Sequence, residues 1–267
     1  MENLKIGFIG AGNMGNALMR GMIKKGGFKK ENILFAEKSG ETAELVGKIT
    51  GAQMVENAEE LCDRSSVIVV CVKPQDFSML SGVLKERTFA GKAVISIMAG
   101  IKIERVASLF QGVESTARVM PNTPALIGRG VSGICGSGEA LYYAEKIMKC
   151  SGKVYLYDDE SLMDAVTAVS GSGPAYLYAF IEAWAGAAAD AGIPAEQAVE
   201  MVVETVFGSV SLLKNTEESP EELRKKVTSP GGTTEKGLEV LVNSGLRSLM
   251  KSCVEAARIR SIELSEI

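Results

Sequence analysis

The chain of 267 residues contains no histidine. That excludes histidine-based metal sites, Ser–His and Cys–His nucleophile pairs, and an imidazole acid. Cysteine is scarce: five residues, at 62, 71, 135, 150 and 253, with no CxxC pair and an odd total. A disulfide framework does not fit this pattern, whereas the reduced thiols of a cytoplasmic protein do. No metal is expected. Positive charge is not in excess: the net charge is −4 and the pI is near 5.3, which speaks against nucleic acid or an anionic membrane as a partner. The tightest cationic cluster, Arg224-Lys225-Lys226, reads as a solvated helix face. Long apolar runs are missing: the strongest, Val67 to Val72, is about a third of a membrane span. A strand-like segment, 4–9, follows Met1 so closely that no signal peptide is expected. Aromatics are only 6% against 46% apolar residues, so the core must be aliphatic and rich in alanine.

The two halves of the chain differ in texture. Up to about residue 158, short apolar runs at 4–9, 32–36, 52–55, 66–72, 92–97, 115–119, 130–135 and 153–157 alternate with helical patterns at 13–25, 41–50, 57–63, 75–86, 102–110 and 138–150. Such alternation predicts an α/β domain, 1–158, with a mostly parallel sheet covered by helices on both faces. From 159 to 267 only helices are expected: 161–169, 174–191, 195–214, 219–226, 234–243 and 245–264. Pro174 and Pro194 suit first-turn positions. The segment 174–191 carries alanine nearly all round, and so small a helical domain cannot bury such a helix alone. A helical dimer core is expected.

Gly10-Ala11-Gly12-Asn13-Met14-Gly15 directly follows the first strand, Ile9 being its last residue, and opens the first helix. In that setting the first glycine permits a tight turn, the second admits a pyrophosphate, and the third lets helix pack on strand. The second strand ends at Ala36-Glu37-Lys38-Ser39. A carboxylate there holds the ribose of NAD, and a lysine or serine suits the 2′-phosphate of NADP, so both cofactors stay open. Cys71-Val72-Lys73-Pro74 and Met98-Ala99-Gly100 follow the fourth and fifth strands, at the carboxyl edge where ligands bind. Met120-Pro121-Asn122-Thr123-Pro124 is similarly placed. Ser170-Gly171-Ser172-Gly173-Pro174 joins the halves and fits either helix capping or a cleft-facing loop.

The most telling stretch is Val227-Thr228-Ser229-Pro230-Gly231-Gly232-Thr233-Thr234-Glu235-Lys236-Gly237. Two glycines and two threonines at a helix start aim N–H groups and hydroxyls at a small anion. Taken alone it is also how a plain capping turn reads. With a cofactor fingerprint at the other end of the chain, it points to an enzyme acting on a small carboxylate. Upstream, in Asp158-Asp159-Glu160, Glu160 is the candidate contact for a substrate amine.

Together IGFIGAGNMG, VKP, MPNTPA, SGSGPAY and ELRKKVTSPGGTT resemble the pyrroline-5-carboxylate reductase family over the whole length, the last segment most specifically. The resemblance implies a Rossmann-type doubly wound domain followed by an all-helical dimerisation domain. It implies reduction of a cyclic imine, 1-pyrroline-5-carboxylate, to L-proline with NADPH or NADH, the last step of proline biosynthesis. Carried over, the cofactor contacts are Ile9 to Met14, the region of Glu37 to Ser39, Asn57, Cys71 to Pro74 and Met98 to Gly100, and the substrate contacts are Glu160, Thr233 and Thr234. Departures are Glu37, where relatives use serine, Lys226, where some have asparagine, and the charged pair Glu235-Lys236.

An imine substrate accounts for the missing histidine, because a cyclic imine takes its proton from water and the enzyme need only hold it in attack geometry. Backbone N–H groups from Gly232 to Thr234 are expected to bind the carboxylate, and the Thr234 hydroxyl to act on the ring nitrogen or carboxylate. A β-hydroxyacid dehydrogenase would carry a lysine after the interdomain glycines, but no Lys or Arg occurs from Asp164 through Leu213. A dinucleotide-sensing regulator would need no anion cradle at 231–234.

Overall fold

The computed structural model describes residues 4–85 and 87–266. They form two compact units: one runs to Ser172 and takes up the chain again from Ala256, and the other is Gly173–Glu255. The division thus lies past the change of texture at 158/159.

The first unit contains every expected strand: β1 (Ile6–Ile9), β2 (Ile33–Ala36), β3 (Gln53–Met54), β4 (Val67–Val70), β5 (Ala93–Ser96), β6 (Ser115–Met120), β7 (Gly130–Gly136) and β8 (Gly152–Leu156). They make one sheet in the order β3-β2-β1-β4-β5-β6-β7-β8. All pairs are parallel except β6 with β7. Between the strands lie α1 (Asn13–Lys25), α2 (Gly40–Thr50), α3 (Ala58–Arg64), α4 (Phe77–Leu84), α5 (Ile103–Leu109) and α6 (Gly138–Lys149). The helix expected at 75–86 begins as a 3-10 turn at Pro74–Asp76, and residue 86 lies outside the described residues. After β8 comes α7 (Leu162–Val166), which continues as a π-helical turn at Thr167–Gly171.

Side chains alternate along each strand, and the sheet therefore divides the core in two. Phe8, Phe35, Val69 and Ile95 pack with Leu18 and Met22 of α1, Val46 of α2 and Ile147 of α6. Ile9, Leu34, Val70 and Val94 pack with Leu61 of α3, Leu80 of α4 and Val106 of α5. Each such fully buried side chain contributes about 1.5–3 kcal/mol. Gly7 in β1 is required by the second layer: a Cβ there would lie 2.3 Å from Ser65 Oγ and 2.5 Å from a methyl of Leu61. The strand order reverses between β1 and β4, the switch point at which doubly wound sheets hold ligands.

The second unit is helical: α8 (Gly173–Asp190), α9 (Ala195–Asn215), α10 (Pro220–Lys226), α11 (Thr233–Asn243) and the start of α12 (Leu246–Glu266). Pro174 takes the second position of α8, as expected. Pro194 is instead the N-cap of α9, with ψ at 134°, because its carbonyl already accepts the first helical bond, from Ala198 N–H at 2.9 Å. α8 and α9 pack on each other, and Ala185, Ala198 and Val202 are the buried apolar residues of the pair. Their large side chains stay out: Tyr178 is 60% exposed, Trp184 42% and Phe207 67%.

Candidate active site

Ile9, Val70, Ser96 and Arg118 stand in one lateral row across β1, β4, β5 and β6. Just beyond this row the chain leaves the sheet in the loops that carry the sequence motifs. In the first loop the three glycines have separate causes. Gly10 has φ of +93°, and a Cβ on it would lie 3.0 Å from the carbonyl of Cys71. A Cβ on Gly15 would lie 2.6 Å from the Gly10 oxygen, while one on Gly12 would meet nothing within 4 Å. The turn is tight, the helix is packed down, and the space over Gly12 is open. Gly12 is also the N-cap of α1 and supplies no side-chain cap, so the first-turn donors at Asn13 and Met14 are left for a ligand. This is a fit for a pyrophosphate.

The open space belongs to a cavity of 580 Å3. It brings together Ile9, Gly10, Gly12, Lys38, Asn57, Cys71, Val72 and Lys73 from the expected cofactor set. It does not include Ala11, Asn13, Met14, Gly15, Ser39, Pro74, Met98, Ala99 or Gly100. Met98 is buried in the core beside α5, which is why its side chain is not in the wall. The cavity also takes in residues that the sequence reading passed over: Thr42, Glu56, Asp76, Met79 and Val83. Only Glu56, next to Asn57 just after the third strand, carried a positional signal.

Local bonds set the shape of this wall. The Glu37 carboxylate accepts Ala11 N–H at 2.8 Å and Ser39 N–H at 3.1 Å. Ser39 Oγ caps α2 by accepting Thr42 N–H at 3.3 Å, and Asn57 Oδ1 caps α3 by accepting Glu60 N–H at 2.9 Å. The Lys38 ammonium lies 2.8 Å from the sulfur of Met79. Burial pushes the Cys71 thiol well above its ordinary range, so it is a neutral apolar wall and not a thiolate.

Glu160 stands elsewhere in the first unit. Its Oε1 accepts Ile103 N–H at 2.8 Å and Arg118 Nη1 at 3.2 Å. Asn122 ties two segments: Oδ1 accepts Val131 N–H at 2.8 Å, and Nδ2 donates to the Ser170 carbonyl at 3.0 Å. Ser170 Oγ bonds back to the Val166 carbonyl at 3.0 Å.

In the second unit, Gly231 has φ of +73° and Gly232 is the N-cap of α11 without a side-chain cap. Thr233 and Thr234 occupy the first turn and are exposed. Their N–H groups are first-turn donors at a positive helix end. A Cβ on Gly232 would lie 2.5 Å from Ser229 Oγ and 3.0 Å from the Ser229 carbonyl oxygen, so a side chain there would displace the Ser229 hydroxyl.

The family model for pyrroline-5-carboxylate reductase dimerisation matches residues 160–264, and that for NADP oxidoreductase, coenzyme F420-dependent, matches residues 5–100. A pyrroline-5-carboxylate reductase of Synechocystis is 38% identical over 272 residues, covering 99% of this chain and 99% of that protein. The chain belongs to the pyrroline-5-carboxylate reductase family. Among solved structures, the pyrroline-5-carboxylate reductase of Coxiella burnetii aligns with a TM-score of 0.88 at 31% identity, over 98% of this chain and 99% of that one. The Plasmodium falciparum pyrroline carboxylate reductase, solved with NADP bound, aligns with a TM-score of 0.85 at 32% identity, over 99% of both chains. Members of the pyrroline-5-carboxylate reductase family are NAD(P)-dependent oxidoreductases, in keeping with the fingerprint and cavity described above. Two departures from the family pattern have a local account here. Glu235 accepts Gly231 N–H at 2.8 Å, and Lys236 pairs with Glu239 at 2.8 Å, so both charges are engaged at the surface of α11. Lys226 pairs with Glu218. Among the described residues, no helix is long and apolar enough to cross a membrane.

Proposed function

We propose that this chain reduces 1-pyrroline-5-carboxylate to L-proline with NADPH, and also with NADH, as a cytoplasmic homodimer joined through its helical unit. The observation that carries this reading is the pairing, in one chain, of an open dinucleotide turn at Gly12 with an uncapped glycine–threonine helix start at Gly232. When bound, the reduced nicotinamide supplies the hydride that C5 of the imine accepts, and the ring nitrogen carries a proton taken from water.

The chain's own residues bind and orient. Gly10, Ala11, Gly12 and the α1 donors at Asn13 and Met14 take the pyrophosphate, with Gly15 keeping the helix close. Lys38 and Ser39 serve the 2′-phosphate, and Asn57 and Cys71 to Pro74 line the adenosine side and the bridge. Met98 to Gly100 border the nicotinamide. Gly232, Thr233 and Thr234 hold the substrate carboxylate by N–H groups. The Thr234 hydroxyl orients the ring, and Glu160 favours a cationic ring nitrogen. No strong acid is required, since the protonated imine is the electrophile; the rate comes from orientation.

The test is loss of reduced-nicotinamide absorbance that depends on added pyrroline-5-carboxylate, with proline identified as product. A chain that binds NADPH tightly and yet turns over no imine would be a dinucleotide sensor, and the proposal would fall.

A further inference from the structure

Arg118 is 3% exposed near the end of β6 and meets the chemistry above only through its pairing with Glu160. Its guanidinium divides between two carboxylates. Nη1 donates to Glu160 Oε1 at 3.2 Å, and Nη2 donates to Asp164 Oδ1 at 3.2 Å. Each carboxylate oxygen has a second partner. Asp164 Oδ1 accepts the hydroxyl of Ser261, buried on α12, at 2.8 Å. Glu160 Oε1 accepts the N–H of Ile103, the first residue of α5, at 2.8 Å.

These bonds enclose one loop. Arg118 is the register partner of Ser96, the last residue of β5. The chain leaves β5 there, passes Met98-Ala99-Gly100 and enters α5 at Ile103. Its start is held by Met98 N–H on Ser96 Oγ at 3.3 Å. Its middle is pressed by α12: Gly100 has φ of +73°, and a Cβ on it would lie 3.0 Å from Leu264 Cβ and 3.3 Å from the Leu264 carbonyl carbon. Its far end is held by Glu160 on Ile103. Leu264 lies within one turn of Ser261, so the bond from Ser261 to Asp164 anchors the turn that carries Leu264.

A buried arginine shared by two carboxylates is a poor device for stability alone. Apolar residues of the same volume would serve as well, because taking charges out of water offsets their attraction. What the charged cluster adds is direction, since a planar guanidinium fixes two acceptors at once.

We propose that Arg118 is a positioning residue for hydride transfer. Through Asp164 and Ser261 it fixes the end of α12, through Glu160 it fixes the start of α5, and so it sets the Met98–Gly100 loop on which the nicotinamide rests. This rests on the reductase reading above. The last turns of α12 are then a strap over the cofactor loop, although they lie at the far end of the sequence.

The experiment uses the full-length chain and three variants, Ser261→Ala, Ser261→Thr and Arg118→Lys. It measures kcat, KM for the imine and NADPH affinity, together with amide hydrogen exchange of the NADPH complex. Losing one hydrogen bond to a charged group corresponds to about a tenfold effect or more. Ser261→Ala should lower kcat about tenfold with KM for the imine held within about twofold. Exchange should quicken by a similar factor at 98–103 and 260–265 and stay unchanged in β1 and β4. Ser261→Thr keeps the hydroxyl and should restore both. Arg118→Lys keeps the charge but loses the fork, and should lower kcat and quicken the same exchange, with KM for the imine moving as well because Glu160 loses its partner. The proposal is overturned if Ser261→Ala keeps wild-type kcat, or if exchange quickens across the whole sheet. Should Arg118→Lys fail to fold, the serine pair alone decides. A wild-type chain that binds NADPH without reducing the imine would sink the reductase reading instead. Exchange at 98–103 in Ser261→Ala would then judge the strap, and unchanged exchange there would overturn it.

Discussion

The Glu37 carboxylate accepts the backbone N–H of Ala11 at 2.8 Å, which ties the fingerprint turn to the loop after β2. Its other oxygen holds Ser39 N–H at 3.1 Å. A carboxylate so fixed can take ribose hydroxyls and repels a 2′-phosphate, while in the proposed function Lys38 and Ser39 serve that phosphate. Both NADH and NADPH should therefore support turnover, with a modest lean to NADPH. Two like charges about 4 Å apart in water cost ~1 kcal/mol, or about fivefold. Glu37→Ser should raise kcat/KM for NADPH by about that factor and leave NADH no better. Measuring both cofactors with both proteins checks this; a preference ratio that does not move shows that Glu37 does not face the phosphate.

The sheet was legible because its strands are short apolar runs bounded by turn residues. Val67-Ile68-Val69-Val70 has no other good use than a strand buried on both faces. The fingerprint was legible because glycine is sterically specific, and each of the three glycines has its own contact or lack of one. What local pattern cannot show is a bond between distant positions. Arg118, Asp164 and Ser261 meet in space with no period or spacing to announce them. The cavity wall at Met79 and Val83 was hidden for a related reason: α4 reads as an ordinary helix, and only its packing turns those side chains toward the fingerprint. The π-helical turn at Thr167–Gly171 was equally hidden, and so was the approach of Gly171 to the Met120 methyl, where a Cβ would lie at 2.5 Å, a contact between remote segments.

In the single chain the helical unit leaves Tyr178, Phe180, Trp184, Phe207 and Val210 exposed. Exposed apolar surface on this scale marks an interface. The protein should sediment as a dimer or larger at micromolar concentration. Phe207→Asp, which places a charge at the most exposed aromatic of the unit, should shift the mass toward monomer and lower activity with it. An active, stable wild-type monomer would falsify the dimer.

Burial pushes the Cys62 thiol up from 9.0 to about 12, against small opposing effects of Lys92 and Arg87. The unfolded chain then ionises this thiol first as pH rises. Stability from the neutral thiol is thus fully present below pH 9 and is lost between 9 and about 12, at a slope of no more than about 1.4 kcal/mol per pH unit. Denaturant midpoints from pH 8 upward should fall less steeply in Cys62→Ala than in wild type. Parallel slopes would mean that Cys62 ionises in the folded protein as it does in water.

Glu235 occupies the Gly231 N–H at 2.8 Å, beside the donors assigned to the substrate carboxylate. A fixed negative charge there opposes an incoming one. Glu235→Gln keeps an acceptor for Gly231 and removes the charge, so KM for the imine should fall by about two- to fivefold, the scale of an exposed charge pair. The advantage should shrink at high salt. If KM rises instead, the carboxylate serves mainly to hold the loop.

Thr234 should matter more to turnover than any other single hydroxyl. It lies in the first turn of α11, after a glycine with φ of +73° and a cap that contributes no side chain, so it sits at a positive helix end. With no histidine in the chain, an oriented hydroxyl is the device left for aligning the imine. One oriented hydrogen bond to a charged group is worth about 1.5–3 kcal/mol, or roughly ten- to over a hundredfold in rate. Thr234→Ala should lower kcat/KM for the imine by that order and leave NADPH affinity nearly unchanged, because the fingerprint lies in the other unit. Thr233→Ala should cost less, its contribution being a backbone N–H that alanine retains. Thr234→Ser should recover most of the loss. Near-wild-type kcat/KM in Thr234→Ala across neutral and mildly alkaline pH would leave the hydroxyl without a catalytic part and reduce the cradle to its backbone.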